Sequence, residues 1–136
     1  MSVIKNDMIR DLTKAEEQVM QILWKVDESI VRDIVEQFTD PKPAYNTVST
    51  VLRVLEKKHF VDHKAYGTTY LYFPLVSKKE YSKFQFTNLI KNYFNGSFPK
   101  MAAFFAKENN LTIQELEEMM DMAKDELKNE GDKTEL

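Results

Sequence analysis

From Asn46 to Phe60 the chain reads Asn46-Thr47-Val48-Ser49-Thr50-Val51-Leu52-Arg53-Val54-Leu55-Glu56-Lys57-Lys58-His59-Phe60. At helical spacing Val48, Val51, Leu52 and Leu55 fall on one side, while Asn46, Thr47, Ser49, Thr50, Arg53 and Lys57 fall on the other. Amide, hydroxyl, guanidinium and ammonium groups are the donors and acceptors that meet base edges and phosphate oxygens. Asn46, Thr47, Ser49 and Thr50 occupy the first turns, the part of a recognition helix that enters the major groove. Arg53 and Lys57 follow one turn apart, placed for phosphate or guanine. The chemistry expected of this stretch is therefore recognition of double-stranded DNA. An aromatic-rich segment with a single glycine, Gly67, comes next and predicts a hairpin wing with Lys64, Tyr66 and Thr68 near its tip.

Other chemistries are poorly served. The chain has three glycines, too scattered for a phosphate-cradling loop, and no cysteine, which excludes disulfides, a thiol nucleophile and a thiolate metal site. Its two histidines, His59 and His63, would share a face only if the helix continued through them, and the strand signal ends it first. Glu117, Glu118, Asp121, Asp125 and Glu126 lie where a solvated helix face would have them. No metal, no cofactor and no enzymatic activity are expected.

The elements that position the recognition residues announce themselves by a repeated device. A Ser or Thr followed three residues later by Glu, which reciprocally satisfies free backbone donors, occurs at Thr13 with Glu16, Ser77 with Glu80 and Thr112 with Glu115. After the first, Ala15, Val19, Ile22, Leu23 and Val26 recur at helical spacing, with Trp24 near the end. Asp27-Glu28-Ser29 breaks the pattern, and Val31, Ile34, Val35 and Phe38 predict a second helix that stops before Pro41 and Pro43. The recognition helix starts just after those prolines. Phe60-Val61-Asp62-His63-Lys64 and Thr68-Thr69-Tyr70-Leu71-Tyr72-Phe73 then read as two strands flanking Tyr66-Gly67, closed by Pro74.

The remaining third is helical with little interruption. Tyr81, Phe84, Phe86, Leu89, Ile90, Tyr93 and Phe94 crowd one helix, Asn95-Gly96-Ser97 breaks it, and Pro99 opens a short apolar helix with Met101, Ala102, Phe104, Phe105 and Ala106. Ile113, Leu116, Met119, Met120, Ala123 and Leu127 make an amphipathic last helix. So much apolar surface after a complete small domain predicts self-association, because most soluble oligomers are symmetric dimers and a dimer presents two recognition helices. The residues expected to carry it are Phe84, Leu89, Ile90, Phe94, Met101, Phe105, Ile113, Leu116, Met120, Ala123 and Leu127. The fold class that follows is mainly α with a small β-hairpin wing: a winged helix-turn-helix domain over residues 1–76, a helical dimerisation domain over 77–130 and a frayed polar tail over 131–136.

At 136 residues, 43% hydrophobic and 12% aromatic, the chain can bury one real core and is short for two independent globular domains. No stretch approaches the roughly 20 apolar residues of a membrane span, and Met1-Ser2-Val3-Ile4-Lys5-Asn6-Asp7 lacks the apolar core of a signal peptide. A cytoplasmic location without membrane insertion is expected. The net charge of −3 is unevenly spread. Residues 42–64 carry Lys42, Arg53, Lys57, Lys58 and Lys64 against Glu56 and Asp62, whereas the last 26 residues carry three basic side chains against nine acidic ones. A local basic patch, rather than the overall charge, decides whether phosphates are attracted.

Leu12-Thr13-Lys14-Ala15-Glu16, Val19-Met20, Ile22-Leu23-Trp24, Asn46-Thr47-Val48 with Thr50, and Leu55 with Lys57-Lys58 resemble the penicillinase and methicillin-resistance repressors of the BlaI/MecI type. So do Phe60-Val61-Asp62-His63-Lys64, Tyr72 with Pro74-Leu75-Val76, and Leu111-Thr112 with Glu115-Leu116. The resemblance runs from about Leu12 to Leu127. It implies a homodimeric winged-helix repressor of palindromic operators with TACA/TGTA half-sites. It also implies release when a membrane sensor protease pathway leads to cleavage in the dimerisation domain, at the position of Phe104-Phe105. The chain departs from the family where an Asn usually precedes the cut (Phe104), where basic residues are frequent (Asn46 and Ser49) and where a glycine commonly ends the recognition helix (His59). The rival reading is a winged-helix protein-interaction module that docks a partner through its aromatic hairpin and does not bind DNA.

Overall fold

The computed structural model of the chain describes residues 9–134. Over these run α1 (Lys14–Val26), α2 (Val31–Gln37), α3 (Tyr45–Lys57), β1 (Val61–Tyr66), β2 (Thr69–Pro74), α4 (Lys78–Tyr93), α5 (Phe98–Glu108) and α6 (Ile113–Thr134). The chain divides into two compact units, Met1–Thr87 and Asn88–Leu136. No described helix is long and apolar enough to cross a membrane.

In the first unit the helix starts follow the capping pattern. Thr13 Oγ1 accepts from Glu16 N at 3.2 Å while Glu16 Oε1 accepts from Thr13 N at 2.9 Å, and Ser77 and Glu80 exchange the same pair of bonds at 3.0 and 2.9 Å. Three helices then converge on one core. Val19, Met20 and Leu23 of α1, Val31 and Ile34 of α2, and Val48, Leu52 and Leu55 of α3 are buried, joined by Phe60, Val61, Tyr72 and Val76. Each such side chain stabilises the fold by about 1.5–3 kcal/mol relative to exposure. This packing fixes which face of α3 points away from the core.

The end of α3 is set by His59. Its φ of 64° is left-handed, Phe60 N donates to Leu55 O at 2.9 Å, and His59 N donates to Glu56 O at 3.0 Å. These two bonds form a Schellman motif with histidine at the position glycine usually takes. The reversal drives Phe60 into the core and starts β1 at once. β1 and β2 pair antiparallel, with Val61 opposite Pro74 and Tyr66 opposite Thr69. The loop is therefore the two residues Gly67-Thr68, and Gly67 at φ 63° supplies the positive first position of a tight hairpin turn.

The hairpin is tied to the helices by a rung that the sequence reading treated only as a break. Ser29 N donates to Tyr72 O at 2.9 Å and Tyr72 N to Ser29 O at 2.8 Å, so the α1–α2 connection pairs with β2. Beyond β2, Trp24 Nε1 donates to Val76 O at 2.8 Å, and the Tyr81 hydroxyl accepts from Leu12 N at 2.9 Å. Tyr81 is 4% exposed, and Phe84 packs against the same core. The start of α4 thus belongs to the first unit, although the sequence reading placed residues from 77 onward in the appendage. A proline and a helix cap mark where the backbone changes direction, not where one core ends.

In the second unit, Ser97 Oγ accepts from Lys100 N at 3.2 Å to cap α5, and Asn110 takes the left-handed position after it at φ 52°. Thr112 and Glu115 cap α6 reciprocally at 3.1 Å each. Phe94 and Phe104 meet with ring centroids 5.5 Å apart. Neither α5 nor the described side chains of α6 include a buried residue. Helix α6 continues through Gly131 to Thr134, where a frayed tail was expected, because one glycine costs a helix only about 1 kcal/mol and does not by itself end it. Residues 135–136 lie outside the described residues.

Candidate nucleic-acid interface

With Val48, Leu52 and Leu55 turned into the core, α3 presents its other side to solvent. Asn46, Thr47, Thr50, Arg53 and Lys57 are exposed and Ser49 is half-buried. Arg53 Nη2 lies 3.5 Å from Thr50 Oγ1, so the guanidinium lies beside the hydroxyl row. Ala44 precedes the helix without a capping side chain, unlike Thr13 and Ser97 ahead of α1 and α5. The first N–H groups of α3 therefore receive no side-chain acceptor from that position, as suits a helix start that meets phosphate.

On the wing, Lys64, Tyr66 and Thr68 are all exposed, Tyr66 at 60%. Lys64 Nζ reaches Glu28 at 3.3 Å, an exposed pair that phosphate can compete for. Between α3 and the hairpin lies an open cleft of about 600 Å³, lined by Tyr45, Ser49, Arg53, Glu56, His63, Thr68, Tyr70 and Tyr72 among others. The structure brings Ser49, Arg53 and Thr68 together on its wall. Asn46, Thr47, Thr50, Lys57, Lys64 and Tyr66 stand outside it, on the flanking surface of helix and wing.

Five of these lining residues are not among the site residues expected from the sequence: Tyr45, Glu56, His63, Tyr70 and Tyr72. Tyr45 was legible, since it precedes Ser49 and Arg53 at steps of four on one helical stripe. His63 and Tyr70 required the strand register: His63 stands opposite Tyr72, and its ring stacks on Tyr70 at 4.1 Å between centroids. Nδ1 of His63 hydrogen-bonds Oε1 of Glu56 across the cleft wall. Burial, reinforced by the nearby Glu56 charge, raises the Tyr72 hydroxyl above its ordinary pKa, so it stays protonated.

The basic patch is smaller than the charge count implied. Lys58 Nζ lies 2.9 Å from both carboxylate oxygens of Glu16, which is 5% exposed, so this lysine neutralises a buried acid. Lys42 pairs with Glu36 at 3.3 Å. Among the described residues, Arg53 and Lys57 have no carboxylate partner and remain the free cations of α3.

Of the residues expected in a dimer, Leu89, Phe105, Ile113, Leu116, Met120, Ala123 and Leu127 are exposed, and Ile90, Phe94 and Met101 are half-buried. Phe84 instead packs on the core of the first unit. Phe104 and Phe105, the expected cleavage position, lie within α5 with both side chains exposed.

Known repressors and a solved structure of one are similar to this chain. The methicillin resistance regulatory protein MecI of Staphylococcus aureus (strain N315) is 26% identical over 110 residues, covering 80% of this chain and 89% of MecI. The penicillinase repressor of Bacillus licheniformis is 22% identical over 112 residues, covering 82% of this chain and 88% of that protein. The solution structure of the Bacillus licheniformis BlaI monomeric form in complex with the blaP half-operator is 24% identical, covering 54% of this chain and 90% of that one at a TM-score of 0.46. The penicillinase repressor family model matches residues 12–125, and the chain belongs to that family of repressors.

Proposed function

We propose that this protein is a DNA-binding transcriptional repressor that acts as a homodimer on palindromic double-stranded operators. The observation that carries the reading is the division of α3. Val48, Leu52 and Leu55 are fully buried while Asn46, Thr47, Thr50, Arg53 and Lys57 are exposed on the same thirteen-residue helix, beside a wing that presents Lys64, Tyr66 and Thr68. The first turns of α3 enter the major groove, Ser49 and Thr50 meet base edges, and Arg53 and Lys57 meet guanine or phosphate. The wing follows the adjacent backbone.

The apolar residues left exposed on the end of α4, α5 and α6 join two chains and set the separation of two recognition helices, about 34 Å for half-sites one helical turn apart. Two half-sites held together bind far more tightly than either alone. Cleavage at Phe104-Phe105 through a membrane sensor protease pathway breaks the joint and releases the operator. Since a protease takes extended substrate, α5 must open locally before the cut.

The test is a gel shift and footprint on DNA from upstream of the protein's own gene at two salt concentrations. The expected result is a protected palindrome whose affinity falls with log salt at about −0.9 per phosphate neutralised. No protection at either salt, from folded and dimeric protein, would replace the repressor with a protein-docking winged helix.

A further inference from the structure

Glu56 in the last turn of α3 and His63 in β1 meet side chain to side chain. Asp62 adjoins them, and one ligand-capable atom from each of the three lies within 4.8 Å of the other two. The imidazole is held by its stacking on Tyr70 at 4.1 Å and by Tyr72 at 5.5 Å. Asp62 Oδ1 accepts from His63 N at 2.8 Å, which keeps that carboxylate beside the ring. Sequence spacing pairs His63 with His59. The fold turns His63 toward two carboxylates instead.

One imidazole and one carboxylate on the wall of an open cleft, with the exposed Asp62 carboxylate beside them, are a ligand set for a first-row divalent cation, with solvent in the remaining positions. Ligand atoms around zinc sit about 3.3 Å apart, so a cation requires the hydrogen-bonded Glu56 carboxylate to back away from Nδ1 of His63 and the Asp62 carboxylate to turn in, both by side-chain rotation. Asp62 is exposed and Glu56 half-buried, and the solvent side leaves both free to turn. We propose that Glu56, Asp62 and His63 bind a divalent cation of the zinc class that clips the end of α3 to the first strand of the wing. Nδ1 of His63 gives up its hydrogen to Nε2 or to solvent as the ion takes its place. On the DNA-binding reading, the ion also cancels the Glu56 charge on the cleft wall that carries Arg53 and the Asp62 charge beside it, and so tightens operator binding. That consequence rests on the proposed function, whereas the site does not.

The site is tested without DNA, by calorimetric titration of zinc into the full chain after chelator treatment. One ion per chain is expected, with affinity reduced about tenfold or more in His63→Gln and in Glu56→Gln, both checked for folding by circular dichroism. His59→Gln is expected to bind zinc as the unsubstituted chain does. No heat from the unsubstituted chain, or equal binding by it and both cleft variants, overturns the site. Gel shifts with zinc and with chelator then test the coupling: zinc should raise operator affinity in the unsubstituted chain and not in His63→Gln. Zinc bound at the site with operator affinity unchanged overturns the coupling. If no DNA binds under any condition, the repressor reading fails and the calorimetry alone decides the site.

Discussion

Lys58, the residue that caps α3, holds Glu16 in the first turn of α1 through two bonds of 2.9 Å, forty-two positions away in sequence. The neighbouring Lys57 faces solvent. Two adjacent lysines therefore have opposite uses. Lys58→Met leaves a buried carboxylate without its cation and should lower stability by about 2 kcal/mol, read by chemical denaturation. Lys57→Met should leave stability within about 0.5 kcal/mol and weaken DNA binding uniformly across sequences, with the salt slope reduced by about 1.

The same pair gives the fold an acid sensitivity. Burial pushes the Glu16 carboxyl upward, but hydrogen bonds from Lys58 and the Thr13 backbone, with the Lys58 charge, outweigh it and hold the pKa below its ordinary 4.5. A lowered folded-state value means that the unfolded chain binds the proton first. The contribution is complete at neutral pH, begins to fall as pH drops toward 4.5, and is lost as pH passes through the lowered value. Melting temperatures followed from about pH 7 to about pH 3 should fall more steeply for the unsubstituted chain than for Glu16→Gln, which starts lower and has less to lose.

Arg53 lies on the cleft wall with Ser49 and beside Thr50, with no carboxylate partner among the described residues. Arg53→Ala should weaken operator binding by about 1–3 kcal/mol and relax preference at one base position if the guanidinium reads a guanine. Competition gel shifts with single-base operator variants check both parts. Uniform weakening across the variants would make Arg53 a phosphate contact instead.

What was legible in the sequence was local. All three Ser/Thr-to-Glu caps form, because each needs only residues three apart, and the apolar stripe of α3 is buried as its spacing requires. Helical phase was less secure at the start of α1, where Ala15 is exposed and Met20 is buried in the stripe. Contacts set by tertiary placement were not legible. Ser29 reads as punctuation because its partner Tyr72 is on the hairpin, and Lys58 counts toward the basic patch because its partner Glu16 is on another helix. Tyr81 looked like part of the appendage because its role depends on Trp24 and Phe60, ring centroids 5.9 and 5.8 Å away.

His59 stands exposed at φ 64°, a conformation in which a side chain is strained by about 1–2 kcal/mol and glycine is not. His59→Gly should therefore stabilise the protein by about 0.5–1 kcal/mol, less than the full strain because glycine also frees the unfolded chain. His59→Val, branched at Cβ, should destabilise it by at least about 1 kcal/mol. Chemical denaturation of the three proteins orders them. A glycine variant no more stable than the histidine protein would mean that the imidazole makes a compensating interaction.

The last helix leaves Leu116, Met120 and Leu127 at 38%, 60% and 73% exposure, spaced to form one apolar stripe on α6. A stripe of this kind in water is unfavourable by about 25 cal/mol for each Å² that a partner does not cover. A charge placed in its middle must be desolvated when two copies meet, so Met120→Asp opposes association while its site on the exposed face of α6 leaves the first unit intact. Sedimentation velocity should show the unsubstituted chain as a dimer and Met120→Asp as a monomer at the same concentration. Affinity for the full palindrome should fall by about 100-fold or more, the gain that tethering two modest sites supplies, while binding to an isolated half-site stays as it was. A variant that sediments as a dimer would place the joint on the end of α4 and α5, and Phe105→Asp would then be the substitution that separates the chains.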